Sequence, residues 1–186
     1  MGVAEERAVE IPVWLKHRPV DPRGYPIPFT AYVSPDGTPD FRVLDEEKRQ
    51  DVVRRRLCGL CGFPLAYWIW FIGGDQSFST RMFNDPAMHE ECARYALEVC
   101  PFLVRPNARY RKPPEELAGV EVWTHPEAIS SSERPKRIGL GRTRQYEARI
   151  VRVSDHTTKG RPTGTLLIHA AKFKAIEWFG GEDGTE

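Results

Sequence analysis

The chain has little cysteine, little methionine, almost no net charge and no long apolar run. Its 186 residues include four cysteines and three methionines. Four cysteines, three of them in a metal-like pattern, point to a reducing cytoplasm rather than a disulfide framework. The longest apolar run, Leu65 to Ile72, is less than half of the roughly 20 residues a helix needs to cross a bilayer. The start, MGVAEERAVEI, is acidic where a secretory leader would be basic and then apolar. A net charge of +1 argues against a protein devoted throughout to polyanions. No internal repeat is visible. Gly139-x-Gly141 lacks the strand-then-helix setting of a nucleotide fingerprint.

What is present is soluble and proline-rich. Apolar residues make up 40% and charged residues 28%, with 16 prolines and 15 glycines. That fits one ordinary domain, or two very small ones, with many loops. Charge is unevenly spread. Residues 105–161 hold 13 Lys/Arg against 7 Asp/Glu, a net of +6, and the rest holds 14 against 19, a net of −5. This is a solvated basic loop region or a local anionic contact.

Three of the four cysteines join one histidine in a paired pattern. Cys58-x2-Cys61 is followed, after 27 residues, by His89-x2-Cys92. Soft thiolates plus imidazole at this spacing are the ligands of a tetrahedral Zn²⁺ site. Gly62 after the second cysteine permits a positive φ, so that amides can turn toward sulfur and stabilise the thiolate. Leu65 to Ile72 and Ser79 to Phe83, separated by GGDQSF, read as a β-hairpin. Asp85-Pro86 reads as a cap and first position of a helix carrying His89 and Cys92. Three residues apart on a helix, these two lie roughly 60° apart around its axis and can share a metal. Cys100 lies about 12 Å further along the helix from Cys92 and reads as a buried free thiol. Cys100-Pro101 also matches a haem-regulatory dipeptide, a weak signal.

The order knuckle, hairpin, helix is that of a treble-clef zinc finger. The expected fold is therefore α+β: a zinc-stabilised treble-clef core with a proline-rich N-terminal arm and C-terminal antiparallel strands. Residues 1–56 form the arm and a short helix capped by Asp45. Residues 57–104 form the zinc module, 105–145 a basic linker with a strand at Val120 to Thr124, and 146–180 the C-terminal strands, packed together as one compact unit. In the arm, a strand from Phe29 to Val33 closes at the Pro35-Asp36-Gly37 turn.

The strings GYPIPF, PDFRVLD, RRRLCGLCG, FIGG, DPAMHEECARYAL and CPFL, between Tyr25 and Leu103, resemble a family of small bacterial proteins, from actinobacteria, other bacteria and their phages. About 80 residues share the pattern, and VEVW and AIEWF extend it more weakly. The resemblance implies a metal site at Cys58, Cys61, His89 and Cys92 and no reaction.

Four ligands of this type close a site, whereas catalytic zinc keeps an open position. His89-Glu90-Glu91 spells the H-x-E of a zinc deaminase, but the order of motifs is reversed. HNH nucleases need a histidine on the hairpin, and residues 63–83 contain none. The expectation is a structural Zn²⁺ in a non-enzymatic, phage-related partner-binding module, with a zinc-containing nucleic-acid-processing enzyme or accessory of the HNH-nuclease type as the alternative. Candidate partners are a protein, or self-association, through Trp68 and Trp70, and a nucleic acid through Arg134, Lys136, Arg137, Arg142 and Arg144. In this reading Tyr67, Ile69 and Phe71 pack on the zinc helix, and the two tryptophans face away from it, under the arm or a partner.

Overall fold

The computed structural model describes residues 9–100, 103, 135, 137–153 and 163–180. The expected strand at 120–124, Arg134 and Lys136 lie outside the described residues. Within them the chain is mixed α and β, with three helices and eight strands in three small antiparallel sheets.

The arm is packed, as its aromatic residues suggest. A 3-10 turn at Val13–Leu15 buries Leu15. A turn follows in which the Asp21 carboxylate accepts the backbone N–H groups of Arg23 and Tyr25, each at 3.0 Å. Strands β1 (Ala31–Val33) and β2 (Pro39–Leu44) pair around the Pro35-Asp36-Gly37 turn. Here Gly37 takes a φ of +88°, which an L side chain resists. The strand begins after Phe29 and Thr30 because their N–H groups are committed to Leu60 O and Gly59 O in the cysteine loop.

Asp45 caps α1 (Glu46–Arg55), its carboxylate accepting Lys48 N–H at 3.1 Å. The acidic first turn and basic last turn suit the helix dipole. The helix stops at Arg56, whose φ of 55° is left-handed. Its inner face buries Val52, Val53 and Arg49. Arg49 is fully enclosed. It forks onto Glu46 at 2.6 and 3.0 Å and donates to Asn84 O at 3.0 Å and Leu166 O at 2.8 Å. One guanidinium thus ties α1 to two distant segments, and no local pattern in the sequence announces it.

Strand β3 (Ile69–Gly73) is an edge strand of a three-stranded sheet. It pairs with β5 (Ile138–Thr143), which pairs with β8 (Ala175–Phe179). After β3 come α2 (Asp75–Thr80) and β4 (Met82–Phe83). Strand β4 pairs with β7 (Thr163–Ala170), which pairs along its whole length with β6 (Tyr146–Val153). The expected hairpin between residues 65–72 and 79–83 therefore does not form. The connecting residues make a helical turn that buries Phe78 against Phe83, Phe173 and Trp178. Each apolar run then finds its partner strand in the C-terminal part of the chain.

Both faces of β3 are covered, which is why Ile69, Trp70 and Phe71 are consecutive and apolar. Ile69 and Phe71 join Val52, Val53, Phe78, Phe83 and Ile168 in one core. Trp70 joins Cys58, Cys61, Met88, Cys92, Ala93 and Leu15 in another. The expected facing is thus reversed. Trp70 packs on the side of the cysteine-bearing helix and is 7% exposed, while Tyr67 is 65% exposed. Trp68 is half-buried beneath Arg142, whose guanidinium lies 4.6 Å from its ring centre. Glycines 139 and 141 also have a packing reason. A Cβ on either would sit 2.5 or 2.3 Å from the Phe78 ring, so bare backbone lets that aromatic lie across the strand.

Candidate metal centre

The first ligand pair sits in a tight loop braced from both sides. The loop is closed by Gly62 N–H donating to Cys58 O at 2.9 Å and Cys58 N–H donating to Phe63 O at 2.8 Å. Gly62 has a φ of +80°, and a Cβ there would lie 2.5 Å from Phe29 Cδ2. Two independent constraints therefore require glycine. On one side Phe29 N–H and Thr30 N–H hold Leu60 O and Gly59 O, with Thr30 Oγ1 adding a 3.1 Å bond to Gly59 O. On the other, Gly59 N–H donates to Ala87 O at 3.1 Å.

The second pair comes from helix α3 (Glu90–Val99). The helix starts later than the Asp85-Pro86 signal suggests. Met88 and Trp70 exchange two backbone bonds of 2.9 Å, a bridge that needs extended chain, so helical geometry waits until Glu90. His89 is the N-cap, with φ −70° and ψ 157°, and Cys92 lies in the first turn. Cys100 caps the other end of the helix and is not in the cluster.

Cys58 Sγ, Cys61 Sγ, Cys92 Sγ and one ring nitrogen of His89 all lie within 4.8 Å of one another. Cys61 Sγ is 3.3 Å from His89 Nδ1. All four residues are buried, none more than 6% exposed. A tetrahedron of Zn–S bonds of about 2.3 Å has sulfur atoms about 3.8 Å apart, so the donor set fits a four-coordinate ion of this size. His89 Nε2 donates to Pro64 O at 2.9 Å. That bond leaves Nδ1 as the lone-pair nitrogen toward the sulfurs, the outer contact typical of metal-bound histidine. The indole of Trp14 stacks on the imidazole at 5.1 Å and 19°, and Phe63 packs edge-on against that indole.

The electrostatics of the cluster are compatible with a bound cation. Burial raises the Cys58 thiol, but hydrogen bonds from Cys61, Cys92 and His89 outweigh it and pull the group well below the ordinary thiol range. Cys58 and Cys61, with burial, push the Cys92 thiol far up. The same two cysteines push the His89 imidazolium up to about 10. Three thiolates and a neutral imidazole can share this space only around a positive ion, and the groups otherwise retain protons to offset the charge.

Among the other candidates, Glu91 is exposed and Glu90 bonds to Arg94 at 3.1 Å. Arg137 is paired with Asp75 at 2.6 Å and lies 4.1 Å from the Trp178 ring centre. Arg142 lies over Trp68 and Trp70. Arg144 is exposed, with its guanidinium over the Tyr67 and Trp68 rings. Each of the three described arginines of the expected nucleic-acid set thus lies over an aromatic ring, Arg142 and Arg144 sharing Trp68 and Arg137 lying over Trp178. The sequence does not show the role of Trp14, whose arm was expected to lie over Trp68 and Trp70, or that of the Pro64 carbonyl. The aromatic in the arm was the only available signal for the first, and a backbone acceptor leaves none.

No helix among the described residues is long and apolar enough to cross a membrane. No family model, curated protein or solved structure matches the chain.

Proposed function

We propose that this protein binds one structural Zn²⁺ through Cys58, Cys61, His89 and Cys92, and that the metal locks together a module that serves partner binding rather than catalysis. The observation that carries this reading is the convergence of three sulfurs and one imidazole nitrogen within 4.8 Å, all buried. Three sulfurs favour zinc over harder ions such as magnesium or calcium. Four protein ligands leave no open position for water, and Trp14 stacks over the one imidazole, so the ion would act as a cross-link.

The ion would join three stretches of chain: the loop at 58–61, the N-terminus of α3, and the arm resting on His89. We read the module as a treble-clef variant. The knuckle and helix supply ligands in treble-clef order, while the segment between them pairs elsewhere. The phage relation suggested by the sequence resemblance is compatible with a small metal-stabilised adaptor.

Elemental analysis of protein purified without added metal tests the reading. One zinc per chain is expected. Stripping that zinc with a chelator should abolish the native circular dichroism of the module, because binding energy at such a site is folding energy. Natively folded protein lacking zinc, or a melting temperature unchanged by its removal, would refute the structural role.

A further inference from the structure

A basic groove lies apart from the metal centre. It encloses about 1000 Å³ and is lined by Arg56, Arg81, Arg144, Arg149, Lys172 and Lys174. Against these six cations the lining offers one carboxylate, Glu147, which is engaged by Arg149 at 3.4 Å. The chain as a whole carries only +1, so this is a local concentration of charge. The residues come from the end of α1, the turn after α2, the β5–β6 connection with the start of β6, and the β7–β8 connection. Only the tertiary fold assembles them. His169, also in the lining, registers the field. Burial, then Arg149 and Arg81, hold its imidazole below the usual range.

The rim is aromatic. Tyr67 is 65% exposed and edge-on to Trp68, with ring centres 5.2 Å apart. The Arg144 guanidinium lies over both rings, and Arg56 lies 5.0 Å above the Tyr146 ring centre. Stacked arginines keep their charge while losing rotamer freedom, so less entropy remains to be lost on binding.

We propose that this groove binds single-stranded nucleic acid, with its cations on successive phosphates and Tyr67 as a stacking platform for a base. The inference rests on the partner-binding reading above. A groove of this volume is at the upper end of small-ligand cavities, and its walls are cationic rather than apolar, which suits an extended polyanion better than a small anion. Cationic grooves with exposed aromatics are how sequence-tolerant single-strand binders work. The concavity disfavours a membrane surface, which needs a flat or protruding basic face.

Fluorescence anisotropy of the zinc-replete protein with a labelled single-stranded DNA of about 20 nucleotides tests this. Contact with about four phosphates gives a salt slope near −3, hence about a 50-fold loss of affinity between about 50 and 200 mM salt. The variant Arg81→Ala, Lys172→Ala, Lys174→Ala should bind at least about tenfold more weakly at low salt, with a slope nearer −1. A charge-matched control, Lys16→Ala, Lys48→Ala, Arg54→Ala, removes cations outside the lining and should bind within about twofold of the parent, since screened distant charges contribute little. Tyr67→Ala should weaken binding without altering the slope. Zinc content is measured on every sample. Absence of binding by fully zinc-loaded protein would overturn the groove assignment and leave the metal reading intact. An unchanged groove variant, or equal affinity for duplex DNA, an acidic peptide or anionic vesicles, would overturn it as well.

Discussion

The cysteine loop depends on one glycine, and the dependence can be divided into two parts. Gly62 sits at φ +80°, and a Cβ there would meet Phe29 Cδ2 at 2.5 Å and two further atoms of the ring at 3.0 Å. The left-handed backbone alone costs an alanine about 1–2 kcal/mol. Forcing a methyl into the ring costs about 1–3 kcal/mol more, as overpacking does elsewhere. Gly62→Ala should therefore destabilise the zinc-loaded protein by about 2–5 kcal/mol. In a Phe29→Ala background the ring is gone and only the backbone share remains, about 1–2 kcal/mol. The two substitutions should thus be less than additive by about 1–3 kcal/mol. Urea unfolding at saturating zinc, with the slope checked for constancy, measures all four corners of the cycle. Additivity within about 0.5 kcal/mol would refute the steric half of the argument. A neutral Gly62→Ala would refute both halves.

Further outcomes follow from particular contacts. Arg49→Leu leaves Glu46, Asn84 O and Leu166 O without their buried donor and should cost about 3–5 kcal/mol in the same unfolding assay; a loss under 1 kcal/mol would mean water replaces the guanidinium. Zinc bound at the proposed site would displace protons, since His89 is pushed up to about 10 and the Cys92 thiol is also raised. Both groups hold protons at neutral pH, so apparent zinc affinity should fall by about 100-fold or more for each unit of acidification from pH 8 to 6. A chelator-competition series checks this, and a change under tenfold per unit would contradict the proton count. Cys100→Ser should retain zinc and Cys92→Ser should lose it, as read by elemental analysis, because only the latter thiol is in the cluster.

What the sequence shows of this protein follows the range of each interaction. Two-residue spacings are local, so Cys58-x2-Cys61 and His89-x2-Cys92 are legible before any fold is known, as is the Asp45 cap. Strand pairing is not local. Strand β3 lies opposite β5, almost seventy residues on, with Trp70 facing Arg142 and Phe71 facing Gly141, and nothing inside residues 65–83 shows that the nearer run will be passed over. The facing of Trp70 escapes the local pattern for the same reason. Alternation tells inside from outside only when one face is wet, and both faces of β3 are covered. The late start of α3 is a further case, since the Asp85-Pro86 signal is outcompeted by two backbone bonds between Met88 and Trp70.

A metal held by the Cys58, Cys61, His89 and Cys92 cluster would give a small mixed fold a way to hold its parts in register. Sheets of two and three strands are marginal alone, and the three sheets here share no strand. Strand β3 joins the two three-stranded sheets, its Ile69 and Phe71 sharing a core with Phe83 of β4 and Ile168 of β7. Trp70 lies among the ligands and beside Met88, while Ile69 and Phe71 lie in the core that receives Tyr146. Tyr146 and Thr143, the register partner of Ile69, both line the basic groove. An ion bound to the cysteine loop and the start of α3 would therefore fix one face of β3, and the other face would carry that constraint to the groove wall. A closed, buried site with an aromatic cap suits this role, because a cross-link is useful only if it does not exchange.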